Sequence, residues 1–146
     1  MRVQEIMSTN PAMCGPEAAI EEVARMMVDY DCGLIPILDD EGKALGVVTD
    51  RDIVCRAVAK GRNPLELRAQ DLMSEASVTV SPEADIEECA RLLQEQQVRR
   101  ILVVDESGRC KGVVAQADLA QKMPGAKAAE VVREISKPTD EASRSN

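Results

Sequence analysis

The feature that most constrains the fold of this chain is an internal repeat. Met73 follows Met7 by 66 residues, and the chain aligns with itself at this offset without a gap. Roughly a third of the aligned positions are identical, and such self-similarity is the mark of one supersecondary unit used more than once. We therefore predict a first repeat at 1–61, a linker at 62–68 and a second repeat at 69–123. A helix at 124–137 and a disordered polar tail at 138–146 are expected to follow.

Each repeat is predicted to have the element order β-α-β-β-α, which gives an α/β chain of the α+β kind. The short apolar runs are typical of buried strands, and the apolar residues at helical spacing predict amphipathic helices. Pro16 and Pro82 are expected in the first turn of a helix, with Ser81 as the N-cap of the second one. The predicted elements are a strand 12–14, a helix from Gly15, strands 34–38 and 44–48 and a helix 50–59, then a strand 78–80, a helix from Ser81 to about 96, strands 101–104 and 110–114 and a helix from 116.

Composition narrows the functional classes. Hydrophobic residues make up 45% of the chain, but Tyr30 is the sole aromatic residue. Aromatic platforms for single-stranded nucleic acid are therefore absent. The formal net charge of −8 also counts against nucleic acid, since proteins that bind the phosphate backbone carry a basic face. We expect no nucleic-acid partner.

The cysteine and histidine content bears on location and catalysis. The five cysteines never form a C-x-x-C pair, which fits free thiols in a reducing cytoplasm. No histidine is present, which excludes Cys-His zinc sites and Ser-His or Cys-His catalytic pairs. No apolar stretch has the length of a membrane span. We therefore predict a cytoplasmic protein that is not an enzyme, needs no metal and does not contact a membrane.

The junction Gly46–Asp52 is the candidate functional motif. Thr49 lies where an apolar strand meets a helix, and Asp52 follows three residues later. One interpretation is a capping box, in which the two side chains satisfy backbone amides at the helix start. The other is a ligand site, because a helix start attracts phosphate and a carboxylate can accept hydrogen bonds from two neighbouring hydroxyls, as a ribose offers. The second repeat keeps the carboxylate as Asp118 but has Ala115 in place of Thr49.

These motifs together resemble a CBS-domain pair, also called a Bateman module. The resemblance covers residues 3 to about 123 and is greatest to small stand-alone bacterial CBS-pair proteins such as the hypoxic response proteins. It rests on Leu34–Asp39, on Gly46–Asp52 and on their counterparts Arg99–Asp105 and Gly112–Asp118. The resemblance implies two repeats about a pseudo-twofold axis, two clefts between them and a homodimer.

The resemblance also implies an adenosyl ligand: AMP, ADP, ATP or S-adenosylmethionine. It gives Asp52 the ribose diol, Thr49 the phosphate or ribose, and Arg99 or Arg100 the phosphate. The hydroxyl missing at Ala115 is worth about 0.5–1.5 kcal/mol, so the Asp118 site should be roughly tenfold weaker. One good site, with the carboxylate from repeat one and the cations from repeat two, is the economical hypothesis.

Four further residues are candidates with open alternatives. Arg51 lies in the first helical turn, where the dipole disfavours a cation, so it either meets a ligand phosphate or pairs with an acid such as Asp50. Met13, Ile35 and Pro36 are candidates for an apolar wall against adenine.

The sequence is compatible with two functions. The first is a regulatory sensor that binds an adenosyl ligand and signals to an effector protein that the sequence does not identify. The second is a ligand-free structural or interaction module whose clefts have degenerated.

Overall fold

The structure is a computed structural model that describes residues 1–9, 12–76, 78–123, 132, 133 and 135. Within the predicted C-terminal helix, Val132, Arg133 and Ile135 are helical, and Ile135 is buried. The rest of that helix and the predicted tail at 138–146 lie outside the described residues. The mixture of helices and strands confirms the predicted α+β class.

The chain folds as two compact units that do not coincide with the two sequence repeats. One unit, here the first-repeat unit, comprises residues 12–76. The other, the second-repeat unit, combines residues 1–9 with residues 78–123, 132, 133 and 135. The amide of Ala69 donates to the carbonyl of Ala18 at 2.8 Å. The amide of Val3 likewise donates to the carbonyl of Ala84 at 2.8 Å. Each unit therefore joins the body of one repeat to the entry segment of the other.

The first-repeat unit is built around an antiparallel hairpin. Its elements are α1 (Ile20–Asp29), β1 (Leu34–Leu38), β2 (Ala44–Thr49), α2 (Asp50–Arg56), 3-10 turns at Val58–Lys60 and Pro64–Glu66, and α3 (Ala69–Leu72). Ile35 pairs with Val48 across the hairpin. The aliphatic side chains Ile20, Val23, Ile35, Ile37, Val48 and Leu72 form its core. The predicted hairpin is confirmed almost to the residue.

The second-repeat unit repeats this plan and adds a third strand. Its elements are a 3-10 turn at Val3–Glu5, β3 (Thr79–Val80), α4 (Ile86–Gln96), β4 (Arg100–Val104), β5 (Cys110–Ala115) and α5 (Gln116–Lys122). The strand order is β3-β4-β5, with β3 parallel to β4. The core includes Val3, Leu93, Ile101, Val103, Val114 and Leu119.

The predicted starts of the first helix in each repeat are wrong. α1 begins at Ile20 and α4 at Ile86, several residues after the prolines. The amide of Ala18 donates to the carbonyl of Gly15, and that of Ala84 to the carbonyl of Ser81, so each proline is the second residue of a β-turn. Ser81 opens this turn and does not cap the helix, and Asp85 caps α4 by accepting from the amide of Glu87.

The predicted strand at 12–14 is also wrong. Cys14 forms only an isolated bridge with Ile37, whereas the counterpart segment in the second repeat is β3.

Candidate ligand site

Thr49 and Asp52 form the reciprocal capping box that their spacing predicts. The amide of Asp52 donates to Thr49 Oγ1 at 3.0 Å, and the amide of Thr49 donates to Asp52 Oδ2 at 2.9 Å. Asp52 has 0% of its surface exposed and is the one buried charged residue in the described part of the chain. The capping interpretation is therefore confirmed, and the ligand-binding role of these two residues stays a prediction.

Two residues that the sequence did not suggest complete the surroundings of Asp52. Ser74 Oγ donates to the carboxylate, 3.2 Å from Oδ2 and 3.3 Å from Oδ1. Arg56 Nε lies 3.7 Å from Oδ1, and the same guanidinium donates to the carbonyls of Leu72 and Met73 at 3.4 and 3.3 Å. The spacing of Asp52 and Arg56, four residues apart on one helix, was a usable signal for their pairing. Ser74 carried no signal beyond its identity with Ser8 in the repeat.

Gly46 allows the backbone of Ser74 to approach β2. The amides of Val47 and Ser74 each donate to the other's carbonyl at 2.9 Å. A Cβ placed on Gly46 would lie 2.5 Å from the Ser74 carbonyl oxygen, which is closer than atoms in contact can stand. The absence of a side chain at Gly46 therefore permits the backbone position from which the Ser74 hydroxyl reaches Asp52.

The second repeat has the same backbone arrangement but a more open carboxylate. Ser8 and Val113 exchange backbone hydrogen bonds of 2.9 and 3.1 Å, and a Cβ on Gly112 would meet the Ser8 carbonyl at 2.5 Å. Asp118 is half-buried, and its Oδ2 accepts from the amide of Ala115 at 2.7 Å. Ala115 provides no capping hydroxyl. Among the described residues, no side-chain hydrogen bond joins Ser8 to Asp118.

The two candidate phosphate-binding arginines lie at the start of β4, beside this junction. Arg100 is half-buried and pairs with Ala115 across the sheet, whereas Arg99 precedes the strand and is exposed. The carbonyl of Arg99 accepts from the amide of Gln116 at 2.8 Å, which ties the strand to the start of α5. Within the described part of the chain neither arginine forms an ion pair. The nearby Asp105 pairs with Lys111, at 3.7 Å, and not with either arginine.

The remaining candidates lie in the first-repeat unit. Arg51 is exposed, and its amide, not its guanidinium, donates to Asp50 at 2.8 Å. Ile35 is fully buried in the core and Pro36 is buried, while Met13 is half-buried. A side chain enclosed in a core has no surface to offer a base, so Met13 is the best placed of the three predicted adenine contacts.

Burial makes two of the thiols, Cys14 and Cys89, poor nucleophiles. Burial raises the pKa of Cys14 to about 11 and the pKa of Cys89 to about 12. Both thiols are therefore protonated at neutral pH, and a protonated thiol is a poor nucleophile and a poor metal ligand. In the part of the chain that the structure describes, no cluster of three potential metal ligands occurs. In the same residues no helix is both long and apolar enough to cross a bilayer.

The predicted ligand residues divide between the units. Thr49, Asp52 and Arg51 belong to the first-repeat unit, with Met13, Ile35 and Pro36. Arg99, Arg100 and Asp118 belong to the second-repeat unit. The hypothesis of a single site that draws on both repeats stays a prediction.

Comparison with known proteins identifies the family. The model of the CBS domain matches residues 3–58 and again 69–125. Hypoxic response protein 1 of Mycobacterium tuberculosis is 32% identical over 135 residues, which are 92% of this chain and 94% of that protein. An uncharacterized protein of Methanopyrus kandleri is 31% identical over 109 residues, 75% of this chain. This chain therefore spans only 56% of the length of that relative.

Two solved structures extend the comparison. A crystal structure of Hypoxic Response Protein I with two coordinated zinc ions has a TM-score of 0.75 and 32% identity, and the match covers 85% of this chain and all (100%) of the other. Those zinc ions are part of that protein's structure. A CBS domain protein from Pyrobaculum aerophilum complexed with AMP has a TM-score of 0.76 and 25% identity, with 91% and 99% of the two chains covered. The chain therefore belongs to the CBS domain family and carries two copies of that domain.

Proposed function

We propose that this CBS pair is a regulatory module that binds an adenosyl ligand, AMP, ADP, ATP or S-adenosylmethionine, and passes its occupancy to an effector protein. One observation carries the proposal. Each repeat has an aspartate at its strand-to-helix junction, Asp52 or Asp118, whose carboxylate accepts a hydrogen bond from the backbone amide three residues earlier. The AMP complex of a CBS relative with 25% identity supports the choice of ligand class.

The chemistry of the junction fits a ribose. An ionised carboxylate only accepts hydrogen bonds and has about four acceptor positions, so it can receive both hydroxyls of a diol. Asp118 uses one oxygen for the amide of Ala115 and is half-buried, which leaves acceptor capacity for a ligand. Arg100, at the start of the adjacent strand, supplies positive charge in an otherwise acidic protein.

A thermal-shift panel of AMP, ADP, ATP, S-adenosylmethionine and NAD tests the proposal. A ligand at a hundred times its dissociation constant adds about 2.7 kcal/mol to the free energy of unfolding. We expect a rise in the melting temperature with at least one adenosyl ligand, and a smaller rise in Asp118→Asn or Asp52→Asn. If both substitutions leave the rise unchanged, the site assignment is wrong.

A ligand-free interaction module is the second candidate function. The complete burial of Asp52 favours it, because a carboxylate already satisfied by Thr49 and Ser74 serves as a structural element. The two functions differ in one outcome: the ligand-free module shows no thermal shift with any member of the panel.

We further propose that the protein forms a homodimer. Large apolar side chains are exposed at Val28, at the end of α1, and at Val54, Val58 and Leu65, with 79%, 57%, 58% and 65% of their surfaces accessible. These side chains are candidate contacts in a dimer. Light scattering should give twice the 15.8 kDa chain mass, and a monomeric mass would contradict the proposal.

A further inference from the structure

The Ser74 hydroxyl donates to the Asp52 carboxylate, the group that would accept the hydroxyls of a ligand diol. It lies within hydrogen-bond distance of both Asp52 oxygens, at 3.2 and 3.3 Å, and Asp52 has no exposed surface. The amide of Thr49 holds Oδ2 from the side of the helix start, and Arg56 lies against Oδ1. A ligand hydroxyl can therefore reach this carboxylate only if one of these donors moves.

Of these three groups, Ser74 is the one that a ligand hydroxyl replaces with the least loss. A second hydroxyl restores the same hydrogen bonds to Asp52, whereas displacing the Thr49 amide uncaps α2 and displacing Arg56 leaves a charge unpaired. The single Ser74 hydroxyl proton is shared between the two carboxylate oxygens at 3.2 and 3.3 Å, longer than the usual O–H···O bond. Because the residue is only half-buried, the hydroxyl can turn to another acceptor.

We infer that the Ser74 hydroxyl gates Asp52, so that a ligand diol binds there by displacing Ser74 and thereby loosens the chain segment around Ser74. This inference rests on the proposed adenosyl function. The segment that carries Ser74 starts the second repeat in sequence but packs in the first-repeat unit. It is held there by the Ser74–Val47 backbone pair and by Arg56, which donates to Leu72 and Met73. Arg56 contacts both Asp52 and the carbonyls of Leu72 and Met73. A ligand that binds Asp52 and shifts Arg56 would therefore also weaken the contacts that hold this segment.

The second repeat has the segment without the gate. Ser8 aligns with Ser74 and keeps the backbone pair with Val113, but its side chain is exposed and makes no described hydrogen bond to Asp118. Lys122 stands where the first repeat has Arg56, and it is exposed. Lysine lacks the planar set of donors with which arginine can hold a carboxylate and two carbonyls together. The two carboxylates should therefore bind a diol differently, Asp118 directly and Asp52 only by exchange with Ser74.

The inference is tested by calorimetric titration of AMP into the full chain, its Ser74→Ala variant and the matched Ser8→Ala variant. Removing a competing hydrogen bond should tighten AMP binding between about twofold and about tenfold in Ser74→Ala. Ser8→Ala should bind AMP as the unaltered chain does. Equal or weaker binding by Ser74→Ala overturns the gate, and weaker binding would mark Ser74 as a ligand contact.

Hydrogen exchange on the unaltered chain gives a second readout that needs no variant. Saturating AMP should speed exchange at the amides of Val47 and Ser74, and leave those of Val113 and Ser8 no faster. Slower exchange at Val47 and Ser74 would contradict the release of the segment. If no adenosyl ligand of the thermal-shift panel binds the unaltered chain, the proposed function fails; if AMP binds but Ser74→Ala and the amides do not respond as stated, only the gate fails.

Discussion

Replacing Asp52 by alanine should destabilise the protein far more than the same change at Asp118. Asp52→Ala removes the acceptor for the Thr49 amide, which as a lost helix cap costs about 1 kcal/mol. It also leaves the Ser74 hydroxyl without its buried acceptor, which costs about 1–3 kcal/mol. The ion pair with Arg56 adds little, because the arginine side chain is 37% exposed and the pair is 3.7 Å long. The sum is about 2–4 kcal/mol of unfolding free energy.

Asp118→Ala is the matched control. Asp118 is half-buried and accepts one hydrogen bond, from Ala115, so its loss should cost about 0.5–1 kcal/mol. In a chain of this size 1 kcal/mol corresponds to about 2–4 °C in melting temperature. We therefore expect Asp52→Ala to melt roughly 4–16 °C lower than the unaltered protein, and Asp118→Ala to differ by at most a few degrees.

Urea unfolding followed by circular dichroism, without ligand, measures both variants on one scale. Equal losses in the two variants would refute the conclusion that Asp52 is the structural carboxylate of the pair. A loss below about 0.5 kcal/mol in Asp52→Ala would show that the hydrogen bonds around it do not stabilise the fold.

Three further predictions concern other parts of the structure. Gly46→Ala should lower the free energy of unfolding by about 1–3 kcal/mol, because the added Cβ would lie 2.5 Å from the Ser74 carbonyl oxygen. In the same urea assay the control Gly15→Ala, whose Cβ would have its nearest contact at 3.5 Å, should be tolerated. Ala115→Thr should add about 0.5–1 kcal/mol by supplying the absent capping hydroxyl, and a lower urea midpoint would count against that. The pKa of the Cys89 thiol is raised to about 12, and only the thiolate reacts with iodoacetamide. Mass spectrometry should therefore show slow labelling of Cys89 at pH 8 and faster labelling as the pH rises. Prompt labelling at pH 8 would contradict this expectation.

The sequence predicted the features that depend on local pattern. Short apolar runs on either side of Asp39–Gly42 predicted the first hairpin, and Gly42 indeed adopts a φ of +84° in its turn. The spacing of Thr49 and Asp52 predicted the capping box. In both features the interacting residues are close in sequence, so their composition and spacing contain the information.

The features that the sequence did not predict depend on residues far apart in the chain. Ser74 is 22 residues from Asp52, and nothing in either segment indicates that one contacts the other. The exchange of entry segments between the units has the same origin, because it rests on backbone contacts such as that of Val3 with Ala84 and that of Ala69 with Ala18, which are far apart in the chain. The helix starts were missed for a different reason: proline favours the second position of a β-turn as well as the first turn of a helix.

The central claim, that a junction carboxylate binds the ribose diol of an adenosyl ligand, is tested most directly by titrating the protein with AMP and with 2′-deoxy-AMP. A lost hydrogen bond to a charged acceptor should weaken the binding of the deoxy compound by about 10- to 100-fold. Equal affinity for the two nucleotides would contradict the account.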